Sequence, residues 1–125
     1  MAKVSGLTTT LTVASNDISN DVTSLNVDTP YGVQDITGLD KSAIERLLLR
    51  ADCTGSATGV FNTAANKSHA TLSTPGSKTT VIGFPGATLT FTAVWTNYAV
   101  SMGADGSLVW SANWALSSGT AAAWS

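Results

Sequence analysis

Charge is what this sequence has least of. Asp, Glu, Lys and Arg make up 11% of its 125 residues, against about a quarter in an average soluble domain. Thr, Ser, Gly and Ala take their place. Surfaces that face water alone are usually dense in charge, whereas buried interfaces are depleted in Lys, Glu and Asp. The depletion points to a subunit that works packed against copies of itself, and away from a free enzyme.

Cysteine is nearly absent as well. Cys53 stands alone, which excludes an intrachain disulfide and a Cys-based metal site and fits folding in a reducing cytoplasm. His69 is the single histidine and Glu45 the single glutamate. A metal site built on such residues needs three or four converging ligands. Asp17, Asp21, Asp28 and Asp35 are too unevenly spaced for a calcium loop and read as turn-capping residues. A triad of His69 with some Ser and some Asp can be drawn in any Ser-rich chain, and no Gly-x-Ser-x-Gly elbow accompanies it. Gly55 and Gly59 lack the Gly-Lys-Ser/Thr that a phosphate loop requires. No catalytic residue, cofactor or metal is expected.

The six basic residues (Lys3, Lys41, Arg46, Arg50, Lys67 and Lys78) are scattered, and the net charge is −2. Gripping nucleic acid needs clustered Lys and Arg. Met1 to Ser15 has no continuous apolar stretch of the signal-peptide kind. No run approaches the ~18 apolar residues of a membrane-spanning helix. These absences lead to the expectation of a soluble, intracellular protein with no membrane partner.

What is present is strand pattern. One domain over residues 1–125 is expected, with 1–6 and 117–125 as flexible or interface-docked termini. Leu7, Leu11 and Val13 alternate with Thr, a half-buried strand. Asn16-Asp17 marks a turn, and Val22 to Val27 reads as a second strand with Leu25 and Val27 inward. Cys53 to Phe61 reads as a strand whose small residues admit another backbone. A short helical turn near Ser68 to Leu72 and a strand from Thr79 to Phe84 follow. Leu89, Phe91, Ala93 and Trp95 share one face. After the Asp105-Gly106 turn signal, Leu108, Trp110, Ala112, Trp114 and Leu116 share another. These are two long antiparallel strands with bulky apolar faces and Thr- or Ser-rich opposite faces. Trp95, Trp110 and Trp114 therefore read as core, not as a stacking platform for sugars.

Two segments stand apart. Asp28 to Leu39 reads as a long loop with its own sticky side chains, Tyr31, Val33 and Ile36, which either fold back on the core or dock elsewhere. Asp40 to Ala51 reads as an amphipathic helix. Ala43, Ile44, Leu47, Leu48 and Ala51 recur at helical spacing, Asp40 offers an N-cap, and Leu39 with Ile44 offers a staple. Its Ile44, Leu47 and Leu48 face is expected on a sheet. Trp124 lies in a small-residue tail with no strand to bury it, a candidate interface anchor. The fold class expected is mainly β: an antiparallel sandwich or partly closed barrel with one flanking helix and a long assembly loop. The candidate inter-subunit residues are Tyr31, Val33, Ile36 and Trp124.

The segment Asp28-Thr29-Pro30-Tyr31-Gly32-Val33-Gln34-Asp35-Ile36-Thr37-Gly38-Leu39-Asp40-Lys41-Ser42-Ala43-Ile44-Glu45-Arg46-Leu47 resembles the loop-then-helix of tail tube (major tail) proteins of long-tailed bacteriophages. Ala87 to Phe91, Thr96 to Val100 and Ala104 to Trp110 look like that family's closing hairpin. The resemblance runs from about Val22 onward. It implies a non-enzymatic β-sandwich in homo-hexameric rings, stacked into a virion tail tube after assembly in the host cytoplasm. Tape measure, tail tip and terminator proteins are the implied partners. Double-stranded DNA would pass through the lumen without specific binding, although a net charge of −2 gives that lumen little negative potential. Other readings are a capsid decoration or head–tail joining protein, or a carbohydrate-binding module using Trp and Tyr.

Overall fold

A computed structural model describes residues 5–125. Ten strands run β1 (Thr10–Val13), β2 (Asn16–Asp17), β3 (Val22–Asp28), β4 (Tyr31–Asp35), β5 (Arg46–Ala51), β6 (Thr54–Val60), β7 (Gly76–Phe84), β8 (Ala87–Met102), β9 (Leu108–Leu116) and β10 (Ala123–Trp124). A short helix, α1 (Ser68–Leu72), and one 3-10 turn (Ser19–Asp21) complete the described elements. Eight strands form one curled antiparallel sheet in the order β2-β1-β7-β8-β9-β6-β3, with β10 added beside β8. β4 and β5 form a separate two-stranded sheet.

Period-two alternation builds the main sheet. Leu11 and Val13 of β1, Ile82 of β7, Leu89, Phe91, Ala93 and Trp95 of β8, and Trp110, Ala112 and Trp114 of β9 are buried in one cluster. Phe91 stacks on Trp114 at 5.8 Å between centroids, and Trp95 meets Trp114 at 4.9 Å. Two of the indoles are hydrogen-bonded within the fold: Trp95 Nε1 donates to Thr80 Oγ1 (3.1 Å) and Trp110 Nε1 to the Val60 carbonyl (3.0 Å). Trp95, Trp110 and Trp114 are thus core residues, as their alternation predicts, and are not exposed for stacking.

β8 is 16 residues long, and its apolar positions change phase halfway. They are odd-numbered up to Trp95 and even-numbered from Tyr98. A bulge lies there: Trp95 faces Trp114, Asn97 faces Asn113, and Tyr98 faces Ala112. An extra residue at Thr96 returns the apolar side chains to the face they would otherwise leave. Without it Tyr98, Val100 and Met102 would point with the threonines.

The small residues of β6 do what their size suggests. A Cβ on Gly55 would meet the Trp114 ring and the Asn26 carbonyl oxygen, and one on Gly59 would collide with the Asp21 carbonyl oxygen. Asp21 is itself buried. Its carboxylate accepts from Asn62 Nδ2 (3.0 Å) and the Ser68 backbone N–H (3.1 Å), tying the 3-10 turn to the start of α1. Burial works against the charge on Asp21, but these bonds outweigh it and hold the carboxyl below its ordinary range.

Three expectations are corrected. Asp40 to Ala51 is not a helix: residues 46–51 are β5, and Leu39 and Ile44, the expected staple, are exposed. Asp28 to Leu39 is not one loop, since Tyr31–Asp35 is β4. The tail is not strandless, because Trp124 lies in β10, paired with Leu89. The flanking helix of the fold is α1 at Ser68–Leu72, a single turn and a half that buries Ser68, Thr71 and Leu72.

Candidate functional site

β4 and β5 pair with each other and with no other described strand. The register sets Val33 against Leu48, Gln34 against Leu47 and Asp35 against Arg46, with a bulge between Tyr31 and Val33. The base closes where the Asp52 N–H donates to the Pro30 carbonyl (2.8 Å). The outer end closes at Thr37, whose Oγ1 accepts from the Glu45 N–H (2.7 Å) and lies 2.6 Å from Asp35 Oδ1. The Thr37 hydroxyl and N–H hold the Asp35 carboxyl below its usual range. The result is a hairpin arm with its backbone bonds made and no core of its own.

Eight large apolar side chains on this arm face water: Tyr31, Val33, Ile36, Leu39, Ile44, Leu47, Leu48 and Leu49, from 43% exposed at Ile36 to 109% at Leu39. Single exposed apolar residues are ordinary, but contiguous ones mark an interaction surface. Leu47, Leu48 and Leu49 are consecutive, so leucine stands on both faces of β5, with Arg46 beside Leu48 on one of them. Gly32, opposite Leu49, leaves an open hollow of about 500 Å³ lined also by Arg50.

The arm gathers Tyr31, Val33 and Ile36, three of the four residues expected at an interface. Trp124 is elsewhere. It is 53% exposed at the β10 end of the main sheet, stacked on Phe84 at 6.0 Å. The expected helix face, Ile44, Leu47 and Leu48, belongs to the arm instead. The signal that marks it is the unbroken Leu47-Leu48-Leu49 run, which favours neither helix nor strand by period.

A second exposed apolar patch escaped the sequence reading. Val60, Val100, Met102, Leu108 and Val109 cluster where β8 turns into β9. The turn is set by Gly106, at φ +89°, and by Asp105 Oδ1, which accepts from the Ser107 N–H and hydroxyl. The Ser107 N–H and hydroxyl also keep the Asp105 carboxyl below its usual range.

Conventional chemistry is not assembled among the described residues. No three of His, Cys, Asp and Glu converge as metal ligands, and no helix is long and apolar enough to cross a membrane. His69 Nδ1 lies 3.2 Å from the Tyr98 hydroxyl and its ring is tilted against Phe61, a packed aromatic corner. Cys53 is fully buried, and that burial pushes its thiol pKa up, away from the reactive thiolate.

No protein-family model matches the chain, and no curated protein matches its sequence. Solved structures match its fold. A chain of the virion of a native gene transfer agent particle superposes with a TM-score of 0.81 at 13% identity, covering 98% of this chain and 99% of that one. A chain from the tail of an empty gene transfer agent particle, refined helically with C6 symmetry, gives 0.69 at 15% identity over 84% and 82%. A chain from the six-fold symmetrised baseplate of the anti-feeding prophage gives 0.61 at 11% over 100% and 96%. The fold is thus shared with phage-tail-type chains, in line with the resemblance carried by the sequence.

Proposed function

We propose that this chain is a structural virion protein, a tail tube subunit that assembles into stacked hexameric rings. The observation that carries the proposal is the arm: eight large apolar side chains held in water by a hairpin that pairs with no other described strand. Burying each at a neighbouring subunit contributes roughly 1.5–3 kcal/mol, repeated at every contact of a symmetric assembly. The low charge of the chain and the C6 symmetry of a tail sharing its fold support the same reading. In it Tyr31, Val33 and Ile36 dock on a neighbour, and Trp124 with Phe84 forms a separate contact. Tape measure, tail tip and terminator proteins are its further partners. Double-stranded DNA passes through the lumen unheld, a role that suits a chain whose six Lys and Arg are scattered along the sequence. The role is one of scaffold, with no catalysis.

Negative-stain electron microscopy of the purified protein is the test. Rings or tubes are expected, spontaneously or after seeding with a tail tip. A monodisperse monomer at every salt concentration, seeded or not, overturns the proposal. The likeness to a baseplate chain favours a second reading, a single closed ring at the end of a tube. Single rings that never stack would favour it.

A further inference from the structure

We infer that the seat of the arm is the β8–β9 tip of a second copy, with β5 of one subunit added along the free edge of β8 in the next. This rests on the reading of the arm as the assembly element, and names its partner surface. From Asn97 to Met102, β8 pairs with β9 on one edge. β7 stops at Gly76 opposite Trp95, so no described strand covers the other edge. β5 likewise pairs with β4 alone and has one edge open. An open edge offers unpaired N–H and C=O groups, the template for adding a strand from another chain. The free stretch of β8 and the whole of β5 are each six residues long.

The faces match as well as the edges. β5 carries leucine on both sides, Leu48 with Arg46 on one and Leu47 and Leu49 on the other. The tip is apolar on both sides. Val100, Met102 and Leu108 lie on the face that carries Trp110, and Val60 and Val109 lie opposite. A strand joined at this edge would set Leu47 and Leu49 on one side, and Leu48 on the other, beside these apolar side chains. Charge is complementary too: Arg46 and Arg50 are the charges of β5, and Asp105 is the sole charge from Thr96 to the end of the chain. Position supplies the last point. The base of the arm is level with the Thr54–Ala115 pair, and the tip is at the opposite end of β9. Donor and seat are different surfaces, so a contact that is not reciprocated is head-to-tail and repeats to form rings or filaments.

Two variants test this. Leu48→Asp disables the arm and Met102→Asp disables the seat. Both side chains are exposed, so both subunits should keep the wild-type far-ultraviolet circular dichroism. Under conditions in which wild type polymerises, each variant alone should fail in sedimentation. Mixed, they should form a complex of bounded size containing both, because one working arm meets one working seat and neither can extend. If Met102→Asp polymerises like wild type while Leu48→Asp does not, the arm stands as assembly element and this seat is wrong. If Leu48→Asp polymerises normally, the reading of the arm itself fails. If both are blocked and the mixture yields no complex, the pairing of arm with seat is overturned.

Discussion

β8 and β9 set Trp95 against Trp114 and bury both; β4 and β5 set Val33 against Leu48 and leave both in water. More than half the residues of each pair are apolar, so an apolar majority alone does not decide burial. Layering does. The β8–β9 pair sits in the middle of a curled sheet whose concave side closes on Leu11, Ile82 and Leu72. Among the described residues no second layer covers the β4–β5 pair. A two-stranded hairpin alone is at best marginally stable in water, and the proposed neighbouring subunit would supply the missing layer.

Substitutions should therefore separate folding from assembly. The largest folding effect is expected at the core: Trp110→Ala removes a 1%-exposed indole and its bond to Val60 and should cost about 3–5 kcal/mol, read as a fall in the urea midpoint. Asp21→Ala leaves Asn62 Nδ2 and the Ser68 N–H without their acceptor, at about 1.5–3 kcal/mol. Asp21 also makes stability depend on pH. Its folded pKa is depressed, so its contribution is complete above the unfolded value of about 4 and is lost as pH falls through the folded value. Urea midpoints of Asp21→Asn should show a shallower acid decline than wild type. Gly59→Ala forces a methyl against the Asp21 carbonyl and should cost about 1–3 kcal/mol. The smallest folding effect is Leu47→Ala on the arm. It should change subunit stability by no more than about 0.5 kcal/mol while weakening polymerisation. A Leu47→Ala loss comparable to that of Trp110→Ala would erase the distinction between the two hairpins.

The same distinction decides what could be read from sequence. The core strands were legible because one face meets apolar neighbours and the other meets water, and a period of two records that asymmetry. Leu89 to Trp95 and Leu108 to Trp114 carry it plainly. The bulge at Thr96 leaves only an indirect trace in the sequence, the switch of apolar positions from odd to even numbers. β5 misled for a physical reason. Arg46-Leu47-Leu48-Leu49-Arg50-Ala51 has three consecutive leucines, and a run of that kind has no period to distinguish a strand from a helix. With Ala43 and Ile44 upstream the spacing imitated a helix face, whereas the backbone bonds are made across to β4. β10 was missed because Ala123 and Trp124 gain their partner from Leu89 and Thr90, over thirty residues away. Of the candidate interface, Tyr31, Val33 and Ile36 were found by having no period that would bury them. The β8–β9 tip was overlooked because its residues continue the alternation of the core beyond the point where the core ends.

Amide hydrogen exchange, compared between unassembled subunits and assembled particles, tests the central claim most directly. The account predicts fast exchange across Tyr31–Asp35 and Arg46–Ala51 in the free subunit, and slow exchange there after assembly. The central amides of β8 and β9, at Phe91 to Trp95 and Trp110 to Trp114, should be slow in both states. Arm amides that still exchange fast in intact particles would show that the hairpin stays in water, and would contradict the claim that it is the element by which subunits join.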